Sequence, residues 1–207
     1  MEDQQELIEA LGFYYDHPVA LGHDLLGIEK FESYQAEILQ SLALVNNVAC
    51  RSGHGIGKSF TAAVAACWYL ITRPYSKVVT TAPTFRQVRS VLWPEIHARI
   101  RKAVVNGQID MLSTQMRIER DWFAIGVSSD DPVNIQGYHS PTGVLFIVDD
   151  GAGVGDEIYE AIEGALTGIE GKLLVLGNPA SPTGKFYRIF TSEQRFWKTF
   201  HVSSVDS

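Results

Sequence analysis

The segment Ser52-Gly53-His54-Gly55-Ile56-Gly57-Lys58-Ser59 constrains the fold more than any other part of this chain. It follows an apolar run, Leu42 to Cys50, and precedes a helix-like run, Phe60 to Leu70. A strand, a glycine-rich loop and a helix in this order let backbone N–H groups turn inward around a polyphosphate. Lys58 at this position reaches β- and γ-phosphates, and the Ser59 hydroxyl is a ligand for Mg²⁺. The helix beginning near Lys58 aims its positive dipole end at the same anion. The pattern usually opens on glycine; Ser52 stands there, and Gly53 and Gly55 keep the loop pliable. Ser52, Gly53, His54, Gly55, Ile56, Gly57, Lys58 and Ser59 are therefore expected to bind ATP, with Mg²⁺ on Ser59. A glycine-rich turn without a ligand is the alternative for this stretch taken alone.

The rest of the chain alternates strands and helices. A short amphipathic helix is expected over residues 3–11, an irregular lead-in over 12–32, and a helix from Tyr34 to Leu44 with Ser33 as its N-cap. A helix to about Ile71 and a strand at Lys77 to Ala82 follow the loop. A long helix from Phe85 to Val105 is expected to kink at Pro94 and to end at Asn106-Gly107. Met116 to Arg120 and Trp122 to Val127 alternate as edge strands do. Val144 to Val148 is wholly apolar, as in a buried parallel strand. A helix at Glu157 to Leu166, a strand at Lys172 to Leu176, a helix at Lys185 to Phe190 and a strand at Phe196 to Val202 complete the pattern. This order predicts an α/β fold of the P-loop NTPase kind (ASCE, RecA-like), a mostly parallel sheet flanked by helices. Residues 33–207 form the expected ATPase domain and 1–32 its lead-in.

With 45% hydrophobic and 20% charged residues, the 207-residue chain can bury a substantial core in one sizeable domain. No apolar run reaches the roughly 18 residues of a membrane span. The start, Met1-Glu2-Asp3-Gln4-Gln5-Glu6, lacks the basic and apolar regions of a signal peptide. Cys50 and Cys67 lack metal-site spacing and read as small buried residues. Residues 1–37 hold nine acids and one base, a charge of −8, which leaves +1 on the remainder of a chain whose net charge is −7. A nucleic-acid partner therefore needs a local basic stripe.

Three further elements carry chemistry. Val144 to Val148 runs into Asp149-Asp150, an apolar strand ending in two acids. Asp149 is placed to hold Mg²⁺, and Asp150 to act as the general base that orients water; two solvated acids at a strand end are the structural alternative. Lys172 to Leu176 runs into Gly177-Asn178-Pro179, where the Asn178 amide can hydrogen-bond a γ-phosphate or can simply make a turn. Tyr34-Gln35 precedes the loop, and a Gln amide can read both edges of adenine or lie on a helix surface. Arg51 can reach phosphate or pair with an acid. The expected catalytic residues are Asp150, Lys58 and Arg51, and the expected metal ligands are Ser59 and Asp149.

The order Tyr34-Gln35, Arg51 through Ser59, Thr80-Thr81-Ala82-Pro83-Thr84, Val148-Asp149-Asp150 and Gly177-Asn178-Pro179 resembles the large terminase subunit of tailed bacteriophages and prophages. Leu92-Trp93-Pro94-Glu95 and Thr183-Gly184-Lys185-Phe186-Tyr187 support the resemblance, which runs over about residues 12 to 205. It implies an ATPase that drives double-stranded DNA into a procapsid in the host cytoplasm. It also implies a homo-oligomeric ring, portal and small terminase subunits as partners, no membrane, and a nuclease domain C-terminal to the ATPase. This chain ends after the ATPase pattern, so no nuclease activity is expected in it. The family's catalytic Glu is Asp150 here, and Gly151 replaces its more usual Ala or Ser. Such rings often add an arginine from a neighbouring subunit, for which Arg99, Arg101, Arg117 and Arg120 are candidates. Two rivals remain open: a helicase-type nucleic-acid ATPase, and a nucleotide-binding switch with little turnover.

On the long helix, Arg86, Arg89, His97 and Arg101 form a basic stripe opposite Val88, Leu92, Ile96 and Ile100. That stripe either contacts DNA phosphates or is a solvated face paired with the acidic N-terminal segment.

Overall fold

The computed structural model describes residues 11–103, 109–130, 132–167 and 170–203. An eight-stranded sheet carries the fold: β1 (Asn47–Ser52), β2 (Lys77–Thr81), β3 (Asp110–Leu112), β4 (Gln115–Glu119), β5 (Trp122–Gly126), β6 (Val144–Val148), β7 (Gly171–Gly177) and β8 (Lys198–Val202). Their spatial order is β3-β4-β5-β2-β6-β7-β1-β8. From β5 to β8 every pairing is parallel. β4 runs antiparallel to both β3 and β5 and closes one edge. The consequence for function lies in the middle of this order: β7 is inserted between β1 and β6, so the strand ending in Gly177 separates the glycine-rich loop from the acid pair.

The central strands are buried on both faces, as parallel strands covered by helices must be. Leu145, Ile147, Leu174 and Leu176 face one core, and Val144, Phe146, Leu173 and Val175 face the other. The first core is filled by α1 (Pro18–Asp24), α2 (Ser33–Leu44), α3 (Lys58–Thr72) and α4 (Trp93–Lys102). The second is covered by α5 (Asp156–Leu166) and α6 (Gly184–Ile189). Every residue of α3 from Thr61 to Thr72 is buried. A helix apolar all round belongs inside, and α3 is fixed between the sheet and the α1, α2 and α4 layer. Its N-terminus, the phosphate-facing end, is thereby held by the bulk of the core.

Several expectations change. Residues 12–32 are not irregular: 11–16 are helical and α1 follows, with Leu21, Leu26 and Ile28 buried in the first core. The helix expected over 3–11 lies outside the described residues, apart from Leu11. The N-cap of α2 is Glu32, not Ser33, and the Glu32 N–H donates to Gln35 Oε1 at 3.1 Å, one half of a capping box. β1 begins only at Asn47, because α2 holds the apolar residues up to Leu44. The last strand starts at Lys198, since Gln194–Phe196 form a 3₁₀ turn.

The expected kink at Pro94 is replaced by a different device. Phe85–Gln87 is α-helical, Val88–Leu92 is π-helical, and α4 continues from Trp93. The Trp93 N–H donates to the Val88 carbonyl, five residues back. This wider turn comes just before Pro94, which has no N–H to give and whose ring clashes with the carbonyl four residues earlier in a regular α-helix. The expected core stripe Val88, Leu92, Ile96 and Ile100 is fully buried. The expected end at Asn106-Gly107 lies outside the described residues.

Cys50 and Cys67 are free and buried. Burial pushes the Cys50 thiol up to about 11 and the Cys67 thiol to about 12, so both stay protonated near neutrality.

Gly143, just before β6, has φ +114°. An added Cβ would lie 2.4 Å from Tyr69 Oη and 2.9 Å from the Glu170 carbonyl oxygen. Gly143→Ala should therefore lower the unfolding free energy by about 1–3 kcal/mol, read as a shifted urea midpoint. An unshifted midpoint would show that the turn relaxes freely.

Candidate nucleotide-binding site

The loop that links β1 to α3 is shaped by left-handed glycines. Gly55 has φ +81° and Gly57, the N-cap of α3, has φ +79°. At Gly57 the constraint is double, because an added Cβ would lie 2.6 Å from Gln35 Nε2. The loop is braced from behind by α2. Tyr34 Oη donates to the Ile56 carbonyl at 2.6 Å, and Gln35 Nε2 donates to the same oxygen at 3.4 Å. With Gln35 Oε1 accepting from Glu32, both ends of that amide are engaged. Tyr34 and Gln35 therefore sit behind the loop and not in the cleft in front of it.

The cleft has a volume of about 780 Å³ and lies over the carboxyl ends of β1, β7, β6 and β2. Sheets of this kind bind ligands at that edge. Lys58 Nζ donates to the Gly53 carbonyl at 2.6 Å, to Asn178 Oδ1 at 2.7 Å and to Ser52 Oγ at 3.4 Å. Three oxygens thus surround the ammonium. Burial lowers the Lys58 pKa, while Asp149, Cys50 and Asp150 oppose that shift. Asn178 Nδ2 lies 2.9 Å from His54 Nε2, so the amide at the end of β7 joins Lys58 to the outer arm of the loop.

Ser59 Oγ donates to Asp149 Oδ2 at 2.9 Å. Asp149 is 7% exposed, and burial raises its pKa, opposed by the Ser59 hydroxyl and the Asp150 N–H. A buried carboxylate with so little positive charge nearby suits a cation, and a hydroxyl beside a carboxylate is the oxygen-only donor set that Mg²⁺ prefers. The donors present therefore fit Mg²⁺. Among the described residues there is no cluster of three or more His, Cys, Asp or Glu that could hold a metal by itself.

Asp150 adopts the left-handed conformation, φ 53° and ψ 44°, which Asp tolerates better than most residues. It caps a 3₁₀ turn, Gly151–Gly153. Gly151 is required by its neighbour: Tyr159 Oη donates to the Gly151 carbonyl at 2.8 Å, and an added Cβ would come within 2.5 Å of that same oxygen. Here an Ala or Ser would collide with Tyr159. Asp150 Oδ2 accepts a hydrogen bond from Gln87 Nε2 at 3.1 Å. Gln87 lines the cleft together with Ser90, Val91 and Pro94, so the π-helical segment forms the wall opposite the loop.

Lys58, Ser59, His54, Gly55, Gly57, Asp149, Asp150 and Asn178 all line this cleft. Ser52 and Gly53 lie behind Lys58, and Ile56 supplies the braced carbonyl. Arg51 stands apart. Its guanidinium lies over the Phe190 ring, 5.1 Å from the centroid, with Nε buried and unpartnered among the described residues. The face of β1 explains this: Cys50 points into the core around α3, so Arg51 points to the α6 side. Sequence reasoning passed over Gln87. Its signal was a Thr84 N-cap three residues earlier, whose Oγ1 accepts the Gln87 N–H at 3.2 Å.

No protein-family model matches the chain. Over 166 residues, 74% of this chain, it is 29% identical to the probable terminase, large subunit, of Enterobacteria phage P7. The chain spans about a third (33%) of that relative's length. The large terminase ATPase domain of Thermus phage P74-26 superposes with a TM-score of 0.68 at 22% identity, covering 88% of this chain and 84% of that one. The fold is that of a large-terminase ATPase domain. The large terminase of the thermophilic bacteriophage D6E, solved in complex with ADP, aligns with a TM-score of 0.64 at 14% identity, over 83% of this chain and 45% of that one. The UvsW helicase from bacteriophage T4 aligns less well, with a TM-score of 0.53 at 12% identity, over 82% and 59% of the two chains. The similarity favours the terminase over the helicase alternative. No helix among the described residues is long and apolar enough to cross a membrane.

Tyr34→Phe removes the hydroxyl that braces Ile56. It should weaken ATP binding in the presence of Mg²⁺ by up to about tenfold, the effect of losing one net hydrogen bond. Isothermal titration calorimetry measures this directly, and equal affinities would show that the brace does not reach the phosphates.

Proposed function

We propose that this chain is the ATPase domain of a phage DNA-packaging motor, hydrolysing ATP to drive double-stranded DNA into a procapsid. The observation that carries the proposal is the Ser59–Asp149 hydrogen bond, 2.9 Å long between residues 90 positions apart. It joins the glycine-rich loop to the acid pair in one cleft.

In this proposal the loop amides and the Lys58 ammonium grip the β- and γ-phosphates, Lys58 exchanging its protein oxygens for phosphate oxygens. Ser59 and Asp149 hold Mg²⁺, which when bound neutralises charge on the phosphates. Asp150 orients water in line with the bond that breaks. Phosphoryl transfer requires little covalent chemistry from the protein, so positioning and charge stabilisation account for most of the rate. Asn178, hydrogen-bonded to Lys58, senses the γ-phosphate and passes its loss to β7. Arg51 acts on the nucleotide only if its side chain leaves Phe190. Gln35 acts on adenine only by giving up its hold on Ile56. In the same proposal the working assembly is a homo-oligomeric ring in the host cytoplasm, with portal and small terminase subunits as partners, and a neighbouring subunit completes the site.

Arg86, Arg89 and Arg101 are exposed, and none has an ion-pair partner among the described residues. His97 departs from the stripe: it is half-buried, with its ring edge-on to Trp93. The three arginines form the proposed DNA face.

A second possibility, a nucleotide-binding switch with little turnover, draws on Asp150. Its carboxylate is about one methylene shorter than that of Glu and reaches less far toward a water. Lys58→Ala should abolish ATP hydrolysis, and Asp150→Glu should raise kcat if side-chain reach limits the wild type. Phosphate-release assays check both, and a Lys58→Ala protein that turns over at the parent rate would falsify the ATPase assignment. Charge reversal at Arg89 and Arg101 should flatten the log–log salt dependence of DNA binding, because each lost phosphate contact lowers the slope by about 0.9. An unchanged slope would move the DNA face elsewhere.

A further inference from the structure

Gln87 is fixed at both ends. Thr84 Oγ1 accepts the Gln87 backbone N–H at 3.2 Å and donates to Gln87 Oε1 at 2.8 Å. With its oxygen held, the amide presents its NH₂ group to Asp150 Oδ2 at 3.1 Å. The residue upstream is anchored too: the Pro83 carbonyl accepts from Ser129 Oγ at 3.0 Å, and the Pro83 ring leaves no room for a Cβ on Gly153. The backbone of Asp150 is set by its left-handed turn, so the side chain is the part left to orient. A carboxylate oxygen engaged by an amide N–H has less lone-pair density to offer a water.

The other side of Gln87 looks outward. Arg86 and Arg89 are exposed, and no hydrogen bond or ion pair holds either one among the described residues. The turn that follows, Val88–Leu92, is π-helical, and such turns concentrate at functional sites. Ser90 and Val91 of that turn line the cleft. One short segment thus carries a hand on the base, a wall of the nucleotide cleft, and two free guanidinium groups.

Resting on the ATPase reading above, we propose that Gln87 is a positioning residue that restrains Asp150, and that duplex DNA phosphates on Arg86 and Arg89 shift this segment and release the carboxylate. DNA contact thereby stimulates hydrolysis, and the unloaded domain idles.

The test measures steady-state kcat and KM for ATP on the full chain, with and without linear duplex DNA. The variants are Gln87→Ala, Gln87→Glu, Arg86→Ala/Arg89→Ala and, in parallel, Lys58→Ala. Gln87→Glu keeps the side-chain size and replaces the donor with an acceptor, which guards against an unfolded Gln87→Ala. Without DNA, both Gln87 variants should raise kcat roughly two- to tenfold, the span of one net hydrogen bond, with KM unchanged. Their ratio of rates with and without DNA should fall toward one, and the double arginine variant should lower the same ratio. A lower or unaltered kcat in folded Gln87 variants overturns the proposal, as does an undiminished DNA ratio or turnover that stays undetectable in every variant. Parental hydrolysis by Lys58→Ala instead overturns the underlying ATPase assignment, and so fails separately.

Discussion

The spacing of adjacent strands governs this site. Neighbouring strands lie about 4.8 Å apart, and one strand, β7, stands between β1 and β6. The end of the glycine-rich loop strand and the end of the acid-pair strand are therefore about 10 Å apart. The loop closes that gap by overhanging β7, and Ser59 reaches Asp149 across it. β7 must end low for this to work. Gly177 does so: a Cβ there would meet the Gly151 backbone nitrogen at 3.0 Å and the Phe186 ring at the same distance. Asn178 then rises from the strand end into the middle of the cleft, where Lys58 holds it. Sheet order, a glycine and one ammonium group together fix the geometry.

The two cores support this edge from opposite sides. The first holds α3 through a helix surface buried from Thr61 to Thr72, so the loop is mounted on the best-packed element of the fold. The second holds α5, whose Tyr159 ties down the turn after Asp150. A polar contact spans each junction: Tyr34 to Ile56 behind the loop, and Gln87 to Asp150 across the cleft. Fold similarity persists at 22% identity to the Thermus phage domain because such packing depends on volume and pattern more than on particular side chains.

Much of this was legible in the sequence for identifiable reasons. The strand β6 is apolar at every position, and the run before Gly177 is apolar at nearly all, so both announce buried parallel strands. The glycine pattern around Lys58 fixes a local backbone shape that needs no tertiary information. Where sequence misled, tertiary partners decided. Gln35 has the chemistry to read a base, but its amide is engaged by Glu32 and Ile56. Arg51 sits next to the loop in sequence, yet strand alternation turns it toward Phe190. Pro94 predicted a kink, and the chain widened the preceding turn instead. Gln87 could not be singled out without knowing that the β2 end faces the β6 end.

The two native thiols have a practical corollary. Both Cys50 and Cys67 are fully shielded and protonated near neutrality, hence slow to meet a maleimide. A cysteine introduced on the outer surface would be the dominant labelling position without deleting either native one. Single-fluorophore or spin-label reporters could then follow rearrangements on an otherwise wild-type background.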